Sequence, residues 1–104
     1  MLTQYKKGVL ELVVMLVVAK EDLYGYELVK QVNEIVDVNE GTLYPLLKRM
    51  TNDGTFVTYY QESNSGPQRK YYHITESGIA IMKNQKKEWL AFSNKINKYI
   101  EGTK

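Results

Sequence analysis

The stretch Asn39-Glu40-Gly41-Thr42-Leu43-Tyr44-Pro45-Leu46-Leu47-Lys48-Arg49-Met50-Thr51-Asn52-Asp53-Gly54 decides how the rest of the chain is read. Leu43, Leu46, Leu47 and Met50 fall at offsets 0, 3, 4 and 7, the spacing of one buried helical stripe. Gly41, Pro45, Lys48, Arg49 and Asn52 project away from that stripe, with Tyr44 and Thr51 on one flank and Thr42 on the other. Asn39 is a natural cap, because a short polar side chain satisfies the first free N–H groups of a helix. Gly54 is a natural stop, because glycine tolerates the left-handed turn that ends one. Pro45 leaves the start open. It costs a helix hydrogen bond if the helix begins at the cap, and falls in the first turn if the helix begins at Thr42. Either way the helix is apolar along one narrow side and polar and basic on the other.

Two more helices lie upstream. Gln4–Lys20 holds Val9, Leu10, Val13, Val14, Leu16, Val17 and Val18, apolar almost all round, so it belongs at the centre of the fold. Its valines also suit a strand, but its length argues for a helix. Residues 9–19 include Glu11 and are too few for a membrane span, which needs about 20 apolar residues. The Lys20-Glu21-Asp22 that follows is not a signal-peptide cleavage site, so a buried helix of a cytoplasmic protein is expected. Residues 24–36 bring Leu28, Val29, Val32, Ile35 and Val36 to one face, opposite Lys30, Asn33 and Glu34, with Asp22 as the expected cap.

Downstream, residues 56–62 and 68–74 are rich in β-branched and aromatic side chains. They flank Ser63-Asn64-Ser65-Gly66-Pro67, a hairpin signature. Tyr72 and Ile74 share one face, Tyr71 and His73 the other, and Ile74 is expected to point at the core. Thr75 is placed to cap a last helix reaching about residue 100. In it Met82, Gln85, Trp89, Phe92, Ile96 and Tyr99 step by 3, 4, 3, 4 and 3, a heptad seam with one polar position. A small domain cannot cover such a row, so the seam asks for a second helix. Met82, Trp89, Phe92, Ile96 and Tyr99 form the expected dimer interface.

At 104 residues the chain is one domain, or one domain with an extension. It has no cysteine, which excludes disulfides, thiolate metal sites and a cysteine nucleophile. Its one histidine, His73, cannot build a zinc site without carboxylates. With no glycine-rich phosphate loop, nucleophile elbow or metal cluster in the sequence, neither an enzyme nor a cofactor is indicated. The net charge of +2 hides an asymmetry. Residues 1–41 carry −3, residues 42–74 +2 and residues 75–104 +3, so the positive charge lies in the middle and the tail.

Three helices followed by a hairpin is the order of a winged helix-turn-helix, whose third helix enters the DNA major groove. The expected fold is therefore mainly α with a small β-hairpin. Residues 1–75 form a winged helix-turn-helix DNA-binding domain, and residues 76–104 a long C-terminal dimerisation helix. On the third helix Lys48 and Arg49 offer charge to phosphates or base edges, Thr42 and Asn52 add hydrogen bonds, and Tyr44 and Pro45 share the surface. The helix start near Gly41 can seat a phosphate. Tyr26 offers a hydroxyl, and Gln68, Arg69 and Lys70 stand at the hairpin tip, where they reach the flanking backbone. A basic pair on an exposed helix is also what a solvated face looks like, and hairpin cations also discourage edge pairing. The element order is what favours double-stranded DNA as the partner. A protein partner bound by the third helix is the second reading.

Three blocks then carry a resemblance: Tyr24-Gly25-Tyr26-Glu27-Leu28, residues 41–50 and residues 66–78. In order and spacing they resemble the PadR family of bacterial transcriptional regulators, the likeness running from about residue 9 to residue 78. The resemblance implies a winged-helix homodimer, usually a repressor, in the bacterial cytoplasm. The short tail is similar to that of the subfamily in which one C-terminal helix makes the dimer. Trp89 lies mid-seam with Phe92 one step away, and across a two-fold axis such rings form a slot for flat aromatic molecules. Met15 on the first helix would line the same space. The resemblance supports a planar aromatic effector there, since some short members bind planar drugs or phenolic compounds between the dimer's helices.

Overall fold

A valine-rich helix has to be covered on most sides, and α1 (Gln4–Lys20) is. Residues 4–102 are described by the computed structural model, so the first three and last two residues of the expected 1–75 and 76–104 units lie outside it. After α1 come β1 (Leu23–Tyr24), α2 (Gly25–Ile35), α3 (Glu40–Asn52), β2 (Phe56–Ser63), β3 (Gly66–Ile74) and α4 (Glu76–Gly102). Val14, Met15 and Val18 of α1 are sealed from solvent. They pack with Leu28 and Val32 of α2, Leu43, Leu47 and Met50 of α3, and Phe56, Tyr72 and Ile74 of the sheet in one core. Each fully buried side chain of this size contributes roughly 1.5–3 kcal/mol. Among the described residues, no helix is long and apolar enough to cross a membrane.

The hairpin gains a third strand. The antiparallel sheet runs β1-β3-β2, with Leu23 opposite Tyr72, Tyr24 opposite Tyr71 and Phe56 opposite Ile74. Tyr72 and Ile74 face the core as the alternation requires, while Tyr71 and His73 face outward. Because residues 23–24 are extended, the cap of α2 is Tyr24, which makes no side-chain capping bond. Asp22 is therefore not the cap; it is turned toward the wing instead. Ile35, expected on the buried stripe of α2, is 63% exposed. It is the last helical residue, and the chain buries Val36 and Val38 in its place.

α3 begins at Glu40, directly after its cap. Asn39 Oδ1 accepts from the Thr42 N–H at 2.9 Å. Pro45 thus lies past the first turn and leaves the Gly41 carbonyl without its helical donor. The helix ends where Gly54 adopts φ +85°, and the Thr55 N–H returns to the Met50 carbonyl at 2.9 Å.

The join between wing and α4 is a polar knot around Thr75. Its hydroxyl lies 2.7 Å from the Gly54 carbonyl and 3.1 Å from that of Thr55, and its oxygen accepts from the Gly78 N–H at 3.0 Å. Gly78 is buried here so closely that a Cβ would collide with the Thr55 carbonyl oxygen and press on Ile74. α4 then departs. Ile79 and Met82 still pack on the core, but most of the 27-residue helix, about 40 Å long, runs beyond it. The molecule measures 56 × 29 × 21 Å.

The Gly78 contact sets a test. Gly78→Ala should destabilise the fold by about 1–3 kcal/mol, the ordinary cost of overpacking. Urea unfolding measures it, and an unchanged midpoint would contradict the close approach.

Candidate nucleic-acid interface

α3 turns Leu43, Leu47 and Met50 inward, which forces Tyr44, Pro45, Lys48, Arg49 and Asn52 onto one exposed face. The basic pair divides on that face. Among the described residues Lys48 makes no ion pair and is offered outward. Arg49 is held by two carboxylates, Glu11 of α1 at 2.9 Å and Asp53 at 3.2 Å. The hydrogen bond that Arg49 donates to Glu11 first, then the charge of Glu11, raises the guanidinium pKa above its ordinary value. These contacts distinguish Arg49 from Lys48, its neighbour on the same face. At the start of α3, where a phosphate is expected, one N–H is already bonded. Asn39 Oδ1 accepts from the Thr42 N–H and, at 3.2 Å, from its hydroxyl, with Glu40 alongside. Tyr44 lies against Gly25 at the start of α2 and close to Tyr72, so one edge of its ring is packed and the rest exposed.

The outer face of the wing is built by alternation. Arg69, Tyr71 and His73 point outward from β3, with Tyr59 beside them on β2 and Tyr24 on β1. Tyr59 and Tyr71 stack at 5.6 Å, Tyr71 meets Tyr24 at 5.8 Å, and Tyr24 meets Tyr26 edge-on at 6.3 Å. The Arg69 guanidinium sits 4.4 Å over the Tyr24 ring. A wing cation is thereby fastened to the residue that leads into α2. On the inner face Lys70 lies 5.8 Å from the Tyr72 ring, and Gln68 donates to Glu62 across the hairpin at 2.9 Å. Arg69, Lys70 and Gln68 are exposed at the far end of the wing, and Tyr26 is exposed at the start of α2.

Asp22 ties both wing strands to the end of α1. Tyr59 donates its hydroxyl to Asp22 Oδ2 at 2.6 Å, and His73 Nδ1 donates to Oδ1 at 2.8 Å. Partial burial pushes the Asp22 carboxyl up, but the bonds from Tyr59 and His73 and the charge of His73 outweigh it, holding the carboxyl below its ordinary value. The same bond, burial and the nearby charge push the Tyr59 phenol up to about 12. Sequence reasoning left Asp22 and Tyr59 out of the site. The signal was Leu23-Tyr24, a β-favouring pair directly after Asp22, which brings that carboxylate alongside β3.

A groove of about 430 Å³ runs between α1 and α4, walled by Glu11 and Leu12 on one side and Gln85, Glu88, Trp89 and Phe92 on the other. Trp89 and Phe92 lie 6.5 Å apart with planes inclined at 56°. Gly8 borders the groove without narrowing it, since a Cβ there would meet nothing within 4 Å. Met15 does not reach this space. It is 1% exposed in the core, and Leu12, one turn earlier, takes the groove position.

The Asp22 tie predicts a dependence on acid. A carboxyl held below its ordinary 3.8 contributes stability that is whole above that pH and fades as pH falls through the depressed value. The stability difference between the wild-type chain and Asp22→Asn should therefore shrink as pH falls below 3.8. Thermal melts over that range measure it, and a difference independent of pH would contradict the tie.

Comparison with known proteins agrees with this geometry. The model of the PadR-like transcriptional regulator family matches residues 14–84. A PadR-like transcriptional regulator from Bacillus cereus is 37% identical. The match covers 97% of this chain and 100% of that one, with a TM-score of 0.88. A PadR family transcription regulator from Clostridium difficile is 34% identical, covering 88% of this chain and 98% of that one, with a TM-score of 0.79. A protein of Lysinibacillus sphaericus is 30% identical over 92% of each chain. The matched residues span the second half of α1, the helix-turn-helix, the whole wing and the first turns of α4, and the chain belongs to the PadR-like family of transcriptional regulators, DNA-binding proteins and not enzymes.

Proposed function

We propose that the chain acts as a homodimeric repressor in the bacterial cytoplasm, bound to an inverted-repeat operator and released by a planar aromatic effector. Residues 1–75 serve as the DNA-binding unit and residues 76–104 as the dimerisation helix. One observation carries the dimer. Beyond Met82, α4 exposes Trp89, Phe92, Ile96, Tyr99 and Ile100, with Phe92 at 60% and Ile100 at 62%. Apolar surface in a row at heptad spacing is covered by another helix, and a second copy supplies one of matching pattern. A two-fold dimer sets two α3 helices toward successive major grooves, about 34 Å apart, hence the inverted repeat.

In this reading Lys48 and Asn52 address base edges or phosphates from the exposed face of α3, with Tyr44, Pro45 and Thr42 along its border. Tyr26 and the wing residues Gln68, Arg69 and Lys70 meet the flanking backbone. Arg49 stands at the edge of this surface, engaged with Glu11 and Asp53. The effector occupies the groove beside Trp89 and Phe92, whose volume suits a small aromatic molecule.

Two substitutions separate the parts. Ile96→Glu, at an exposed position, should leave the domain folded and yield monomers by sedimentation, where the wild-type chain sediments at twice the chain mass. A wild-type monomer would contradict the dimer. Lys48→Ala should keep the dimer, weaken operator binding, and lower the salt slope of binding by about 1. Unchanged operator affinity and slope would remove Lys48 from the contact surface.

A further inference from the structure

Glu11 serves two neighbours. It is the one carboxylate of α1, set within its apolar run, and it lines the groove between α1 and α4. Its Oε1 also accepts from Arg49 Nη2 of α3 at 2.9 Å, while Asp53 takes Nη1 of the same guanidinium at 3.2 Å. The groove wall is thus fastened through one side chain to the helix that carries Lys48. Among the described residues the other charged side chain of the groove is Glu88, which accepts from Asn84 at 2.8 Å. Two carboxylates with the rings of Trp89 and Phe92 match a guest that is both aromatic and cationic. The positive group of such a guest and the Arg49 guanidinium draw on the same carboxylate.

We propose that Glu11 couples the groove to α3: a cationic aromatic guest and the Arg49 tether weaken each other, and Arg49 is a positioning residue for α3. This rests on the reading of the groove as a ligand site. The coupling works in both directions, since two binding events that share a group change each other's affinity by the same factor. Glu11 and Arg49 are both about half exposed, which keeps their pairing modest, and the effect belongs to the range of about 2–5-fold.

Calorimetric titration of the full chain tests this with two probes, 2-naphthylmethylammonium and its neutral counterpart 2-naphthylmethanol. The wild-type chain should prefer the ammonium probe, and Glu11→Gln should reduce the preference while leaving the alcohol unchanged, Glu88 supplying what remains. Arg49→Ala should raise the affinity for the ammonium probe about 2–5-fold with no change for the alcohol. Arg49→Lys, which keeps the charge, should stay near wild type. An Arg49→Ala chain that binds the ammonium probe no better, or binds both probes better alike as loosened packing would cause, overturns the coupling and leaves the groove standing. A wild-type chain that binds neither probe overturns the groove reading and the coupling together.

Discussion

The fold depends on enclosing α1. Val14, Met15 and Val18 leave that helix almost no side that tolerates water, so α2, α3, the sheet and the base of α4 are arranged around it. Each of those elements pays for its own ordering by burying a stripe against the same helix. The consequence reaches the surface. α3 has its position because Leu43, Leu47 and Met50 must reach the shared core, and that requirement turns Lys48 and Asn52 outward. Among the described residues α4 is fastened at its base by the Thr75 knot, Gly78 and Met82, and Phe92, Ile96 and Ile100 farther along remain exposed.

Polar contacts then fine-tune what burial has positioned. Asn39 sets the first turn of α3, Arg49 joins α3 to α1 through Glu11, and Asp22 joins the end of α1 to β2 and β3. Arg69 lies over Tyr24, so the wing is also fastened at the entry to α2. Exposed pairs of this kind add little stability singly. Their value is geometric: they keep the third helix and the wing in one relative orientation, as the proposed DNA surface would require. One link starts on α1 at Glu11 and another just beyond it at Asp22, and α1 also walls the groove, so groove, α3 and wing share a frame.

Much of this was readable from the chain because periodicity and punctuation are local signals. The stripe of α3, its Asn39 cap, its stop at Gly54, the inward Ile74 and the Thr75 cap all rest on residues close in sequence. What escaped depends on contacts across the fold. β1 has two residues, too few for an alternation to register, and it exists because β3 offers an edge. Asp22 resembled a cap, but extended residues at 23 and 24 carry it past α2 to Tyr59 and His73. Arg49 and Lys48 are neighbours with equal claims in the sequence, and Asp53 one turn on together with Glu11, approaching from α1, separates them. Met15 and Leu12 differ by less than a turn on a helix apolar nearly all round, so the pattern alone does not say which faces the groove.

In the proposed assembly two α3 helices, set by one two-fold dimer, read one stretch of duplex. Hydroxyl-radical footprinting on the promoter DNA upstream of the protein's own gene tests it most directly. Two protected patches of inverted sequence are expected, centred about one helical turn, or 34 Å, apart, and fading together as salt rises. A single protected patch, or uniform protection that ignores sequence, would contradict it.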